Sequence, residues 1–520
     1  MAEKYVNLDA LIPRADVYAG PSLVDVDSPG FRVTDLEPGI TYDMLRKPDF
    51  QRETANWKPD QIRLLIETFC KSDIIPAVII WQNGNRLFVV DGAHRLSALI
   101  AWIRHDYGAG LVSQKFFQGH ISERQKAMHE ITAKLIENSV GTWADFKTAN
   151  PTISLKEVRI QWIRDYTPEQ AAEAFIRINR GGTTIEPLEE RILRAKKSAL
   201  AVATRVISHG GKGHAYWQHF KAETAKTRTP KLGGEIYDLL FHPPLQSPIK
   251  SLDVPLAGEG YGFGVVRLVF DLVALANNLP VPDSTRSKAP GEKLDDDTNG
   301  GDTVKYLLKT KKVVQLLLSD DPSSLGLHPA LYFYTARGAF QPATLLNFVA
   351  WMMELDDTPK LHIFRKNRGA FEELIAAHPV IIKPATHTLG SGRRTRSRMI
   401  ALLHRALDLV ATKQDTNTIW ETLKAEFDHL APDQADEDEV MAAGKPGAKF
   451  SKETKNAASL LDLSLVPKCV LCGGLKHPNG ITLDHAKKKA DGGSSALNNA
   501  RWVHPICNSN RDKDEKANAV

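Results

Sequence analysis

Cysteine is scarce, with four residues in 520. That excludes a disulfide-stapled scaffold and fits a reducing compartment. Long apolar runs are missing as well. No stretch approaches the roughly 18 uninterrupted apolar residues of a membrane helix, so no membrane partner is expected. The opening residues, MAEKYVNLDALIPRADVYAG, lack the basic start and apolar centre of a secretory signal, and the expected location is the cytoplasm. No internal repeat is evident. Strong overall charge is absent too, the net being +5. What is present is a chain with 42% apolar and 25% charged residues, ordinary for a soluble globular protein. It is too long for one core, so two to four domains are expected.

The small net charge hides an uneven distribution. Residues 441–520 hold 13 Lys and Arg against 7 Asp and Glu, a balance of +6. The remaining 440 residues hold 54 basic and 55 acidic residues, a balance of −1. Three of the four cysteines, Cys469, Cys472 and Cys507, lie in the same basic tail. A small basic unit with clustered cysteines, attached to a neutral body, points to a metal site facing a polyanion.

The first 110 residues read as mixed α/β. Ile62, Leu65, Ile66 and Phe69 recur at helical spacing between Pro59 and Lys71. Ala77–Trp81 and Leu87–Val90 read as strands joined across the Asn83-Gly84 turn, and a helix is expected from His94 to about Ile103. Residues 111–150 look helical with polar breaks, and Glu157–Asp165 alternates as a strand would. Thr167-Pro168-Glu169 opens a helix that should stop at Gly181-Gly182. From Pro187 to about Leu430 the pattern is mostly helical, with loops expected at 280–302 and 384–398. The second of these carries Arg393, Arg394, Arg396 and Arg398, either a DNA-backbone contact or a solvated basic loop. The acidic, then Gly- and Lys-rich, stretch 431–460 reads as a linker.

The C-terminal residues carry the most specific chemistry. Cys469 and Cys472 form a C-x-x-C pair, and His504 and Cys507 form an H-x-x-C pair 32 residues further on. Thiolate and imidazole are the usual zinc ligands, and four of them close a tetrahedral structural site. So small a unit buries little apolar surface, and metal ligation would supply much of its folding energy. The plainer alternative, that the cysteines are merely buried, leaves two ligand pairs at knuckle spacing unexplained. Between the pairs stand Asp484-His485, Gly492-Gly493 and Asn499, and Asn508 follows the last ligand.

In these residues the segment resembles the zinc-binding, McrA-like HNH endonucleases. Their pattern is C-x-x-C, D-H, G-G seven residues on, N, and C-x-x-C-N. The resemblance implies a ββα-metal, treble-clef-like fold over residues 469–513, with His485 as general base. It assigns Asp484 and Asn508 to a divalent ion, magnesium or manganese, at the scissile phosphate. It assigns Asn499 to fixing the loop and orienting the histidine. His504 stands where the family usually has cysteine. Ala486-Lys487-Lys488-Lys489 stands where it often has a proline. His477 lies outside the motif and reads as a surface residue. The non-catalytic alternative is a zinc knuckle that only binds DNA.

In the N-terminal part, Asp91-Gly92-Ala93-His94-Arg95 places a D-G-x-x-R turn between a strand and a helix. Glycine allows the tight turn, backbone N–H groups at a helix start attract anions, and an arginine in the first turn can clamp a phosphate. An Asp-Gly turn beside a surface arginine is the plainer alternative. Phe50-Gln51-Arg52, Trp57, the run Phe175 to Gly182 and Leu188-Glu189 surround it in sequence. This set resembles the N-terminal domain of GmrS/GmrD-type proteins in the ParB/sulfiredoxin superfamily. The D-G-A-H-R variant is closest to the D-G-Q-H-R of phosphorothioation-associated DndB proteins. The resemblance implies that Asp91, Gly92, His94 and Arg95 bind a nucleotide, such as a nucleoside triphosphate, or a DNA backbone. Phe175 and Ile178 read as core residues. Asn179 and Arg180 read as site lining or as a plain helix cap.

Together these readings predict an α+β multidomain protein. Residues 1–200 form a ParB/sulfiredoxin-like sensing domain and 201–430 a helical middle. Residues 431–460 form a linker, and 461–520 form an HNH domain with structural zinc. The expected function is metal-dependent DNA cleavage, modification-dependent or nucleotide-regulated, in bacterial antiviral defence. The expected partners are DNA, including modified phage DNA, a nucleotide, and a second copy in a homodimer. The alternatives are a DNA-binding regulator or an NTPase sensor whose HNH domain does not cut.

Overall fold

The computed structural model describes residues 5–16, 28–49, 51, 54–180, 188, 191–192, 195–260, 263–279, 295–356, 358–382, 393–430 and 450–518. The chain divides into two compact units. One comprises Met1–Lys231, Tyr261–Arg267 and Lys288–Thr303; the other comprises Leu232–Gly260, Leu268–Ser287 and Val304–Val520. Among the described residues no helix is long and apolar enough to cross a membrane.

The first unit is built on a six-stranded mixed sheet. Its strands are β1 (Arg14–Ala15), β2 (Gly30–Arg32), β3 (Leu45–Pro48), β4 (Val78–Asn83), β5 (Arg86–Asp91) and β6 (Glu157–Ile163), in the order β1-β3-β5-β4-β6-β2. β1, β3 and β5 run parallel, β4 turns back on β5, and β6 runs parallel to β4. The Asn83-Gly84 turn forms where expected. Side chains alternate across the sheet. Ile80, Leu87 and Val89 join the core made with the helices Pro59–Cys70 and Ala93–Arg104. Trp81, Phe88 and Val90 face the opposite way, onto Phe175 and Ile176 of the helix Pro168–Arg180. The sheet therefore has helices on both faces. Phe175 is buried and Ile178 packs beside it, as expected. The side chains of Asn179 and Arg180 lie outside the described residues, as do Phe50 and Arg52.

β3 reads Leu-Arg-Lys-Pro, an unpromising strand. It is held by a buried charge cluster. Lys47 Nζ donates to Asp9 Oδ1 at 2.5 Å, and Arg14 Nη2 donates to the same oxygen at 2.9 Å. Burial opposes the Asp9 charge, but Arg14 and Lys47 outweigh it and hold the carboxyl well below the usual carboxylate range.

Among its described residues the second unit is helical apart from β7 (Thr482–His485) and β8 (Ala500–Val503). Trp351 of the helix Pro342–Asp356 packs against Phe364 and Phe371 at its centre. Two sequence expectations change here. Arg393–Ala411 is one helix, so the four arginines do not lie in a loop. Arginine is a good helix former, and Met399, Leu402, Leu403, Ala406, Leu407 and Val410 supply a buried helical face. Lys452–Leu461, within the expected linker, is a helix capped by Ser451, while 431–449 lie outside the described residues. Likewise 280–294 lie outside them, and the helix Gly301–Leu317 begins before the expected loop end at Asp302.

Candidate functional site

The tail forms a short knuckle, an antiparallel ribbon and two helices in sequence. In the knuckle, Cys469 N donates to Gly474 O and Gly473 N donates to Cys469 O, both at 2.8 Å. Gly473 takes φ +73°, a left-handed conformation that suits glycine. The turn brings Cys469 and Cys472 together with His504 and Cys507, which lie at the start of the helix Pro505–Ser509 and within it. All four ligand atoms lie within 4.8 Å of one another. His504 presents Nδ1, 3.3 Å from Cys472 Sγ, and its Nε2 donates to Leu475 O at 2.9 Å. That second hydrogen bond fixes the tautomer and ring orientation that a metal ligand needs. Burial, reinforced by Arg368, lowers the His504 pKa and keeps the ring neutral. The thiols share hydrogen bonds: those from Cys472 and Cys507 hold Cys469 far below its ordinary range, while Cys472 is pushed up to about 11. Three thiols and an imidazole at this separation fit zinc in donor type and number.

The knuckle is seated on helical residues that the sequence reading missed. Arg368 donates to Gly326 O at 3.1 Å and lies 3.3 Å from His504 Nδ1. Glu372 accepts from Leu475 N at 2.5 Å and from Tyr332 Oη at 2.9 Å. Gly369 N donates to Cys472 O at 3.0 Å. Zinc held by three thiolates and a neutral imidazole would carry one net negative charge, and the Arg368 guanidinium lies 3.3 Å from His504 Nδ1. His477 corrects another expectation. It is fully buried, not a surface residue, stacked edge-on to His328 and 3.2 Å from Asp253. Burial pushes its pKa down to about 4.

β7 and β8 place the motif residues. Asp484 pairs with Arg501 and His485 with Ala500 across the ribbon. Asp484 is buried, and its Oδ2 accepts from Arg501 Nε at 2.9 Å and from Arg511 Nη1 at 3.3 Å. Arg511 also donates to His485 O at 2.6 Å and Ala486 O at 2.8 Å. Asn499 ties the following loop: its Oδ1 accepts from Lys487 N at 2.6 Å, and its Nδ2 donates to Lys487 O at 3.0 Å and Ser494 O at 2.6 Å. The His485 ring is half-buried, and so is Asn508 on the helix Pro505–Ser509, which packs against β7. Among the described residues Asp484 belongs to no group of three or more His, Cys, Asp or Glu ligand atoms. Arg501 was legible in principle, since a hairpin between Asp484 and Asn499 puts it opposite the aspartate.

In the first unit the D-G-x-x-R turn forms as expected. Gly92 caps the helix Ala93–Arg104 at φ +87°, where a Cβ would meet Val78 Cγ1 at 2.5 Å. Arg95 Nη2 donates to Asp91 Oδ2 at 2.5 Å, so the arginine is already paired. His94 is buried with its ring stacked on Trp57, centroids 5.4 Å apart. The turn thus brings together two motif residues that are 37 positions apart in sequence.

No curated protein and no solved structure matches the chain. One family model does match, described as the GmrSD restriction endonuclease, N-terminal domain, over residues 36–196. It spans β3 to β6, the D-G-x-x-R turn and Trp57, and it leaves the C-terminal Cys/His segment outside. Residues 36–196 are thus similar to that domain.

Proposed function

We propose that this chain is a DNA endonuclease of the restriction type. Residues 1–200 sense a nucleotide or modified DNA, 201–430 act as spacer, and 461–520 cut. The observation that carries the reading is the Cys469–Cys472–His504–Cys507 cluster beside a ribbon that presents Asp484 and His485. A neutral imidazole suits a general base that deprotonates the attacking water near neutral pH. Arg501 and Arg511 supply positive charge where a phosphate would lie, which favours charge developing in the transition state. Asn499 holds the loop that follows the base. Zinc, held by the four ligands, would supply folding energy and no step of the reaction. A magnesium or manganese ion at Asp484 and Asn508 would require the two guanidiniums to yield the Asp484 carboxylate. A homodimer would let two such sites break both strands.

The test is plasmid nicking with magnesium or manganese. His485→Ala is expected to lower nicking by roughly 10²–10⁴-fold while DNA binding persists. Retained nicking in that variant would overturn the assignment. Arg95→Ala is expected to abolish any effect of nucleoside triphosphates on cutting. A second reading, a DNA-binding regulator whose HNH segment does not cut, is favoured by the commitment of Asp484 to two arginines. Wild-type binding without nicking under every metal condition would select it.

A further inference from the structure

The first unit holds a small cavity that none of the motif residues explains. It lies at the carboxyl edge of the parallel strands. Asp16 follows β1 and Asp49 follows β3, and both line it with Lys196, Lys197, Arg205, Tyr216 and His219. Ligands of open α/β sheets collect at this edge. Of the two acidic groups, Asp49 is neutralised by Lys196. Asp49 accepts from Lys196 Nζ at 2.6 and 2.8 Å, and Asp16 lies 3.3 Å from His214.

The positive charge is not balanced. Arg205, on the helix Ala199–Ser208, is only 8% exposed, and among the described residues no carboxylate pairs with it. Its guanidinium lies over the Tyr216 ring, 4.6 Å from the centroid. A cation–π contact offsets part of the burial of a charge, but an uncompensated buried guanidinium remains costly. Lys197 is exposed at the same cavity. His219 Nδ1 lies 3.0 Å from Tyr216 O, and its Nε2 is buried with no hydrogen-bond partner. The cavity measures about 60 Å³, room for about four waters or one tetrahedral oxyanion, and too little for a nucleoside.

We infer that this cavity is a phosphoryl-binding site, with Arg205 as the buried anchor and Lys197 as its solvent-side partner. It takes either free phosphate or the terminal phosphoryl group of a nucleotide whose remainder stays outside. The bidentate fork of arginine matches a tetrahedral oxyanion, and occupancy would supply the counter-charge that Arg205 lacks. The residues lining it do not include those of the D-G-x-x-R turn, and the inference does not depend on the nuclease reading, because its test reads binding alone.

The test is calorimetry on the full chain at fixed ionic strength with two probes, inorganic phosphate and ATP. Phosphate is expected to bind and to raise the melting temperature. Arg205→Gln and Lys197→Glu are each expected to weaken binding about tenfold or more. Lys197 is exposed, so its variant serves if Arg205→Gln fails to fold. Lys134→Glu, an exposed charge change elsewhere on the unit, should leave affinity unaltered. ATP binding tighter than phosphate, and equally sensitive to Lys197→Glu, identifies a nucleotide as the source; equal affinities identify the free anion. Absence of binding by both probes overturns the inference, as does equal weakening by Lys134→Glu and Lys197→Glu.

Discussion

Arg368 and Glu372 form a buried ion pair, Nε to Oε1 at 2.7 Å, with side chains 1% and 4% exposed. They stand one helical turn apart, and each also holds the knuckle, Arg368 beside His504 and Glu372 at Leu475 N. The pair therefore joins the helix Arg368–Ala377 to the Cys/His cluster. Removing one partner leaves the other charged and buried. Arg368→Ala or Glu372→Ala is expected to cost about 3–5 kcal/mol of stability in the second unit. Zinc should also be surrendered faster to a competing chelator. Urea denaturation and a chelator titration check both effects. Recovery of part of the loss in Arg368→Met with Glu372→Leu would separate packing from charge.

The four-ligand cluster makes a sharp prediction about metal. Cys472→Ser should lower bound zinc, measured by elemental analysis, and open the knuckle to proteolysis between Lys468 and Lys489. Cys70, the only cysteine outside the tail, is half-buried in the helix Pro59–Cys70. Cys70→Ser should leave zinc content unchanged. A parallel loss in both variants would rule out the four-ligand assignment.

Acid should weaken the second unit before it reaches the carboxylates. Burial pushes His477 down to about 4, and burial with the charges of His477 and Arg368 pushes His328 down to about 3, from 6.5. Both rings fold neutral. Their contribution is therefore complete above about pH 6.5 and is lost as pH falls from there towards 4. At roughly 1.4 kcal/mol per pH unit, His477 alone accounts for on the order of 3 kcal/mol by pH 4. Denaturant midpoints between pH 7.5 and 4.5 should show this fall, and His477→Leu should flatten it.

Gly92 tests the turn at the end of β5. Its φ of +87° and the 2.5 Å approach of a Cβ to Val78 both oppose a side chain. Gly92→Ala is expected to destabilise the first unit by about 1–3 kcal/mol. Circular dichroism during urea unfolding reads the change.

The hairpin β4–β5 and the helix Pro59–Cys70 were legible because apolar periodicity and an Asn-Gly turn agree with the tertiary outcome. β1 and β2 were not, since two or three residues pair as strands only where a partner edge is already present. β3 was hidden by Lys47, whose burial depends on Asp9, 38 positions away. The gathering of Cys469, Cys472, His504 and Cys507 was readable from spacing alone. Arg368 and the burial of His477 were not, because both depend on packing against distant segments such as Leu325, Gly326 and Asp253. The arginine-rich run was misread because its composition resembles a basic loop, while the apolar face that makes it helical begins only at Met399.

Asn499 offers the finest test of the ribbon site. Its amide forms three hydrogen bonds to the loop after His485, two as donor and one as acceptor. Asn499→Asp keeps the acceptor for Lys487 N but turns a carboxylate oxygen towards the carbonyls of Lys487 and Ser494. Backbone pairing survives, since Ala486 N donates to Asn499 O at 2.7 Å whatever the side chain. The ribbon and the zinc should therefore stay, while the loop loosens and the base is less well placed. Misplacement on the order of 1 Å costs up to about 10²-fold in rate. Single-turnover nicking is expected to fall by about 10–10²-fold, with zinc content unchanged and faster hydrogen exchange at the Lys487 amide. Unchanged nicking alongside faster exchange would show that the loop does not position His485.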